Sequence, residues 1–311
     1  MIAAMKIISN FSELSLGLDH TVVAIGNFDG VHRGHQALLK KARSLADYHG
    51  FSLLILTFEP HPRQFFKPDI APFRITPAPV KAQIFDQLIH PDFYAVMNFD
   101  GALAELSPPD FIQDILINYC HAKIIIVGQD FRFGKRRSGC IDTFRARPDF
   151  ETIVFDVVRE GDGIISSSCI RADLQSADMV RANTLLGWEW YIESEVIHGD
   201  KRGRTLGFPT ANMRFGGAIV PSHGVYAVRV LIEGEAKWRI GAANIGTRPM
   251  FATEEPLLET HIFDFDQDIY GKYLKVKPVV KLRDEMKFDS LDALIDQMTQ
   301  DCAKVREVLH K

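Results

Sequence analysis

GNFDGVHRGH, residues 26–35, decides how this chain reads. The apolar run before it, Thr21 to Ile25, has the composition of a buried strand. After it, Leu38, Leu39, Ala42, Leu45 and Ala46 fall on one face of a helix spanning Gln36 to Tyr48. A strand, a glycine turn and a helix start together form an anion-binding geometry. Gly26 and Gly30 can adopt turn conformations closed to other residues. Unpaired N–H groups and the positive dipole end at the helix start favour phosphate. His32 and His35, three residues apart, put two more donors there with no lysine needed. The stretch is neither a Walker A loop nor a dinucleotide fingerprint, because GxxxxGK[ST] and GxGxxG are both absent. Two plainer readings stand beside phosphate binding: a capped helix start with solvent-facing histidines, and a metal site of His32, His35 and His61.

With 311 residues the chain is long enough for about two domains. Apolar residues at 46% and charged residues at 24% are ordinary for a globular protein. The net charge of −4 gives no reason to expect a nucleic-acid or membrane partner, and no obligate protein partner is indicated. Cys120, Cys140, Cys169 and Cys302 are scattered without CxxC spacing, so neither a disulfide framework nor a zinc ribbon is expected. No signal peptide opens the sequence, and no apolar run approaches the ~18 residues of a membrane span. The expected location is the cytoplasm.

The first half alternates strands and helices. Ser52–Thr57, Phe93–Met97 and Lys123–Val127 are further strand candidates, and a helix is expected from about Pro109 to Tyr119. Such alternation predicts a doubly wound parallel sheet, which binds ligands at the carboxyl ends of its strands. Two loops leave those ends. One is Phe58-Glu59-Pro60-His61-Pro62, whose prolines break any regular element. The other is 128–137, GQDFRFGKRR, where Phe131 or Phe133 can support a flat ring and Arg132, Lys135, Arg136 and Arg137 can hold phosphate. A charged surface turn explains the second loop equally well. Ser166, Ser167 or Ser168 can cap a helix that follows. Those hydroxyls, with Arg171 one turn in, can also grip a triphosphate.

Near residue 185 the pattern changes to short β segments: Trp190–His198, Val225–Ile232, Trp238–Asn244, Leu257–Phe263 and Leu274–Leu282. Their spacing predicts a small barrel or sandwich. A last helix, Leu291 to His310, carries an apolar stripe that covers part of it. Between the first two segments, residues 199–212 read GDKRGRTLGFPTAN. Glycines interleaved with cations suit a loop that covers phosphates. Thr210 and Asn212, two apart on an extended segment, share a face and can share a hard cation such as Mg²⁺. A basic surface turn is the plainer alternative.

HRGH fits HxGH, the signature of nucleotidylyltransferases and class I aminoacyl-tRNA synthetases. The longer GxFDGxHxGH resembles the N-terminal half of the bacterial bifunctional riboflavin kinase/FAD synthetases. Residues 128–134 resemble that family's GxDFxFG flavin loop. ISSSCIR, 165–171, resembles its ISSTxxR, with Ser168 in the threonine position and Cys169 where arginine is frequent. GxxxGRTLGFPTAN resembles its kinase motif. Gly224-Val225-Tyr226, Asn244 to Pro249, Leu258 to Ile262, Asp268 to Gly271 and Leu282-Arg283 follow in order. Met250 departs from the usual threonine.

The resemblance implies an α/β doubly wound nucleotidylyltransferase (HxGH) domain, residues 1–185. A small antiparallel β-barrel domain with a C-terminal helix, residues 186–311, follows. It implies ATP-dependent phosphorylation of riboflavin to FMN by the second domain and adenylyl transfer from ATP to FMN, giving FAD, by the first. For adenylyl transfer it implies His32 and His35 stabilising phosphate charge. Gly26, Phe28, Asp29, Gly34, Ser167, Ser168 and Arg171 would then bind ATP, and Pro60, His61, Asp130, Phe131 and Phe133 the flavin. For the kinase it implies Gly199, Lys201, Gly203, Gly207, Phe208 and Pro209 on ATP, and Tyr226 and Arg283 on the flavin. Thr210 and Asn212 would hold Mg²⁺ or another hard divalent cation, and Glu259 would be the general base. Two rivals remain. One is a tRNA-linked or other adenylyltransferase, which the acidic balance and the lack of a KMSKS-like motif oppose. The other is a flavin-binding carrier without turnover.

Overall fold

The computed structural model describes residues 5–9, 19–161, 163–199, 206–247 and 256–309. It forms two compact units: Met1–Ala71 with Ala78–Ser166, and Pro72–Pro77 with Ser167–Lys311. Lys201, Gly203 and Met250 lie outside the described residues.

The first unit is a six-stranded sheet of β1 (Lys6–Ile8), β2 (Thr21–Ile25), β3 (Ser52–Glu59), β4 (Phe93–Asn98), β5 (Ala122–Gly128) and β6 (Glu151–Phe155). Its order is β1-β4-β3-β2-β5-β6 and every pairing is parallel. All five residues of β2 are buried, as a parallel strand covered on both faces requires. The chain winds outward from β2 in both directions, so the switch point lies between β2 and β5, where open α/β sheets bind ligands. β1 and β6, at the two edges, were not foreseen.

Five helices accompany the sheet: α1 (Arg33–His49), α2 (Pro62–Phe66), α3 (Ala78–Leu88), α4 (Gly101–Glu105) and α5 (Pro108–Asp110). Helix α1 starts three residues earlier than its apolar face suggests, inside the HRGH run. Helix α5 runs on as a π-helix, Phe111–Tyr119, so the helix expected from 109 to 119 exists with wider turns. Helix α2 corrects the reading of residues 58–62 as an unbroken loop, because Pro62 opens a short helix where its missing N–H costs nothing. Helix α3 carries Pro79 in its first turn for the same reason. Helix α6 (Ile141–Arg145) and a small hairpin of β7 (Arg159–Glu160) and β8 (Gly163–Ile164) complete the unit.

The second unit opens with α7 (Ser167–Gln175) and α8 (Met179–Leu186). Six strands follow: β9 (Ile192–Glu195), β10 (Ala211–Arg214), β11 (Gly224–Ile232), β12 (Arg239–Gly246), β13 (Leu257–Ile262) and β14 (Tyr273–Arg283). They pair antiparallel in the order β10-β13-β12-β11-β14-β9. A bridge between Ile197 and Asn212, with Ile197 N–H donating to the Asn212 carbonyl at 2.8 Å, ties the two edges into a near-closed barrel. That closure protects edges that would otherwise remain open. Strand β10 was not foreseen, and the strand expected over 190–198 is shorter.

Trp190 explains the shortening. It is 1% exposed, and its indole N–H donates to the Ile75 carbonyl at 2.8 Å. The residue is thus a core anchor rather than part of a strand. Helix α9 (Leu291–Leu309) closes the chain. Val305 and Leu309 pack with Ala227 and Phe263, whereas Leu291, at the other end of the expected stripe, is exposed. Arg283 fastens this helix. Its Nε–H reaches both oxygens of the Asp301 carboxylate at 3.1 Å and its Nη2 reaches one at 2.7 Å.

Replacing Trp190 with alanine removes a fully buried indole and its hydrogen bond to the Ile75 carbonyl. Denaturant unfolding of Trp190→Ala should show a loss of about 3–5 kcal/mol, and a loss under about 1 kcal/mol would show that Trp190 does not anchor the unit.

Candidate active sites

The loop from β2 into α1 is compact and turns sharply. Phe28, Gly30 and Val31 take φ of +46°, +88° and +40°. Phe28 and Val31 are non-glycine residues that tolerate this region only when their surroundings fix them. Both are buried, and Val31 N–H donates to the Phe28 carbonyl at 3.0 Å. Gly26 does not adopt the turn conformation expected of it. It makes room instead: a Cβ there would stand 3.0 Å from the Phe28 ring. Gly34 does the same for His32, whose ring would lie 3.1 Å from such a Cβ.

His32 is the N-cap of α1 and its Nδ1 accepts from His35 N–H at 3.3 Å. With Nδ1 accepting, Nε2 is the nitrogen that carries the ring proton. The two imidazoles stack with centroids 3.5 Å apart and planes 18° from parallel. Phe28 meets the His35 ring edge-on at 5.3 Å. His32 is only 5% exposed, so the reading of solvent-facing histidines falls. Among the described residues no group of three or more His, Cys, Asp or Glu side chains has metal-ligating geometry, and His61 is used elsewhere. The His35 Nδ1 is buried without a hydrogen-bond partner. Burial holds the His35 pKa well below its usual value, and the neighbouring His32 and Lys81 push it further down. The result is a neutral imidazole at a helix start. Asp29, 3% exposed, completes the buried floor of the loop.

At the end of β3, His61 caps α2 by accepting from Arg63 N–H at 3.0 Å, and Pro60 precedes it. Beside them lies an aromatic cluster that sequence reasoning missed. Phe99 meets Phe58, Phe65 and Phe66 edge-on at 5.4–6.1 Å, and Phe66 remains 65% exposed. After β5, Asp130 is exposed and Phe131 half-buried. Phe133 departs from expectation. It is 6% exposed and stacks on Phe144 at 4.3 Å and 9°. It is a core ring that backs Phe131, so a ligand ring would meet Phe131 alone. Lys135 is taken up by Glu105 at 2.5 Å, while Arg132, Arg136 and Arg137 are exposed.

In the second unit, Ser167 and Ser168 are the first two residues of α7. Arg171 donates through Nε–H to the Phe73 carbonyl at 2.8 Å, with its guanidinium 5.3 Å from the Phe73 ring.

The barrel gathers its site by strand register. Asn212 on β10 stands opposite Glu259 on β13, and Glu259 stands opposite Asn244 on β12. The row continues through Val225 on β11 to Arg283 on β14. Cross-strand partners share a face. Burial alternates along β13, with Leu258, Thr260 and Ile262 inside the barrel, so Glu259 and its row lie on the outer face. Asn212 Nδ2–H donates to the Thr210 carbonyl at 3.4 Å, and Gly199 packs so closely on the Asn212 amide that a side chain there would collide with it. His261, two residues from Glu259 on the same face, holds the Pro209 carbonyl at 2.9 Å and meets the Phe208 ring at 5.5 Å. The segment Gly207 to Thr210 is thereby laid across the strand that carries Glu259.

Asn244 was missed because only strand register brings it beside Glu259, and His261, two residues along the same strand, was missed although the period of two places it on that face. Tyr226 is a correction. It is fully buried, points to the inner side, and donates its hydroxyl to the Ser222 carbonyl at 2.5 Å. It cannot present its ring to a ligand on the outer face. Arg283 stands in the site row, but its fork is engaged by Asp301 and by the Asp284 carbonyl.

A family model for FAD synthetase matches residues 17–169 and one for riboflavin kinase matches residues 186–309. The bifunctional riboflavin kinase/FMN adenylyltransferase of Escherichia coli K12 is 38% identical over 307 residues, 97% of each chain. That of Bacillus subtilis 168 is 40% identical over 290 residues, 90% of each chain. The chain belongs to the bifunctional riboflavin kinase/FMN adenylyltransferase family. It is an enzyme with the adenylyl-transfer fold first and the kinase barrel second. A solved structure described as a macrolide-efflux protein from Streptococcus pneumoniae is 31% identical, with TM-score 0.82, covering 96% of this chain and 97% of that one. Efflux is said of that protein. Among the described residues here no helix is long and apolar enough to cross a membrane.

The neutral state of His35 has a consequence for stability. Unfolded, this histidine titrates near 6.5; folded, it titrates well below. The stability it sustains is therefore complete above about pH 6.5 and is lost as pH falls toward the folded value. Protection of the β2 amides against hydrogen exchange, taken relative to the intrinsic rate at each pH, should fall between pH 7.5 and pH 5, and His35→Gln should flatten that change. An identical dependence in both proteins would contradict it.

Proposed function

We propose that the barrel phosphorylates riboflavin at the outer face around Glu259 and that the first unit adenylylates FMN at the loop between β2 and α1. The overall activity follows from family membership over nearly the whole chain. The observation that supports the residue assignment is the in-register row Asn212–Glu259–Asn244, with the Gly207–Thr210 segment held over it by His261.

In the kinase step the 5′-hydroxyl oxygen of riboflavin attacks the γ-phosphorus of ATP. ADP leaves, and Glu259 accepts the hydroxyl proton. Such a positioned base is worth about 10²–10⁴-fold. Gly199, Gly207, Phe208 and Pro209, together with Lys201 and Gly203 outside the described residues, are the residues assigned to the nucleotide. Thr210 and Asn212 offer neutral oxygens beside one carboxylate, a donor set that suits Mg²⁺, which takes few protein ligands and shares phosphate oxygens. When bound there, the cation neutralises phosphate charge during transfer. Arg283 acts by holding α9 against the barrel rather than by touching the flavin.

In the adenylyl step a phosphate oxygen of FMN attacks the α-phosphorus of ATP and pyrophosphate leaves. His32 and His35 donate to the phosphates, and Gly26, Phe28, Asp29 and Gly34 shape the loop. The resemblance of residues 165–171 to ISSTxxR supports Ser167, Ser168 and Arg171 as further phosphate ligands. Phe131, backed by Phe133, supports the flavin ring, with Pro60, His61 and Asp130 at strand ends of the same sheet. The four free thiols suit a reducing cytoplasm.

Two single variants separate the sites. His35→Ala should lower adenylyl transfer at least 100-fold and leave riboflavin phosphorylation at wild-type rate, whereas Glu259→Ala should do the reverse; both are about the scale of a lost proton-transfer or charge-stabilising group. Equal loss of both activities in either variant would refute two independent sites.

A further inference from the structure

Lys81 is a lysine in a place where lysine is expensive. It lies on α3 and its side chain is 1% exposed. Lysine is almost never fully buried unless paired. Its Nζ stands 3.3 Å from Oε1 of Glu59, the last residue of β3, whose side chain is 21% exposed. Strand β3 pairs directly with β2, Ile25 standing opposite Leu56. The carboxyl end of β3 therefore lies next to the loop that carries His32 and His35. Phe85, one turn along α3 from Lys81, meets the Phe28 ring edge-on at 6.1 Å, and Phe28 in turn meets His35 at 5.3 Å, so α3 packs on the histidine loop; the Lys81 charge there disfavours His35 protonation. No residue of the phosphate-binding loop itself is a lysine, and no motif of the sequence singles Lys81 out.

We propose that Lys81, held by Glu59, is a positioning residue of the adenylyl-transfer site: a fixed, buried cation on α3 at the strand ends that carry the histidine loop, there to hold positive potential for an anionic ligand. In the empty site His35 faces three influences that oppose its charge: burial, His32 on its own element and Lys81 from α3. Glu59, from β3, holds Lys81 and compensates part of its charge, and Asp29 lies buried in the same loop. Arrival of a polyphosphate reverses the balance, because several negative charges then outweigh one lysine. His35 takes a proton and becomes a charged donor on the phosphates. When pyrophosphate leaves, the proton leaves with it, and Lys81 returns the site to its neutral state. The lysine thus supplies permanent positive potential, while the histidine charges only with ligand present.

This inference rests on the reading of His35 as a phosphate-binding residue, and the test separates the two. Ring-carbon NMR of the full chain with labelled histidine resolves the His35 titration, assigned among the 11 histidines by loss of the signal in His35→Gln. In the wild type its midpoint should lie well below 6.5 and rise on addition of inorganic pyrophosphate. In Lys81→Met the midpoint without pyrophosphate should rise, as removal of a like charge requires. Lys81→Arg should keep the wild-type value. Lys81→Gln, which preserves a polar end for Glu59, should behave as Lys81→Met and serves if the methionine variant does not fold. An unchanged midpoint in either folded variant would overturn the role of Lys81, as would a wild-type midpoint indifferent to pyrophosphate while His35→Ala still loses adenylyl transfer. If His35→Ala retains adenylyl transfer, the reading of the site itself fails.

Discussion

Parallel pairing of β2 between β3 and β5 is the constraint on which the adenylyl-transfer half depends. Val23 stands opposite Leu54 on one side and Ile125 on the other. That double pairing buries the strand completely and aligns three strand ends. The loops that leave them carry the histidine pair, the Glu59 to His61 segment and Phe131. The histidine loop reaches its shape through strain that the packing can hold: two buried non-glycine residues with positive φ lie within four positions. The chemistry is consequently delivered by rigid strands rather than by the loop's own preference.

The barrel solves a similar problem by register. A slip of one residue in β13 would turn Glu259 inward and bring Leu258 to the outer face. The bridge at Ile197–Asn212 guards against such a slip, because the residue that closes the barrel is also the one opposite Glu259. Closure and the site therefore share a residue. On the proposed reading the two halves meet phosphate differently: the first through the stacked histidines, with a buried lysine on α3, the second through neutral oxygens and a carboxylate on a sheet face, under a segment pinned by His261.

Much of this was legible in the sequence. Thr21–Ile25, the helix behind it and the alternation of strands and helices give the doubly wound sheet, and the motifs give both activities. What was not legible is instructive. Strands β1 and β10 carry too few residues to show a period, and β6, as long as β2, has none of its residues fully buried and so lacks the apolar run that marks β2. Phe133 and Tyr226 looked like ligand-facing rings, but aromatic residues in a motif are as readily core supports as contacts, and only burial tells them apart. Asn244 joins Glu259 through cross-strand pairing, which no spacing along the chain reveals, whereas His261 shares its face by the two-residue period of β13 and was simply passed over. Lys81 is hidden for the same reason: its significance comes from Glu59, twenty-two positions earlier, and from a histidine on another element.

The most direct measurement follows the flavins over time in one vessel. The full chain is incubated with riboflavin, ATP and Mg²⁺, and the products are separated by chromatography. The account predicts that FMN accumulates first and then declines as FAD rises, with ADP and pyrophosphate released in step with each product. FAD formed without any FMN, or flavin bound tightly with no product at all, would contradict it.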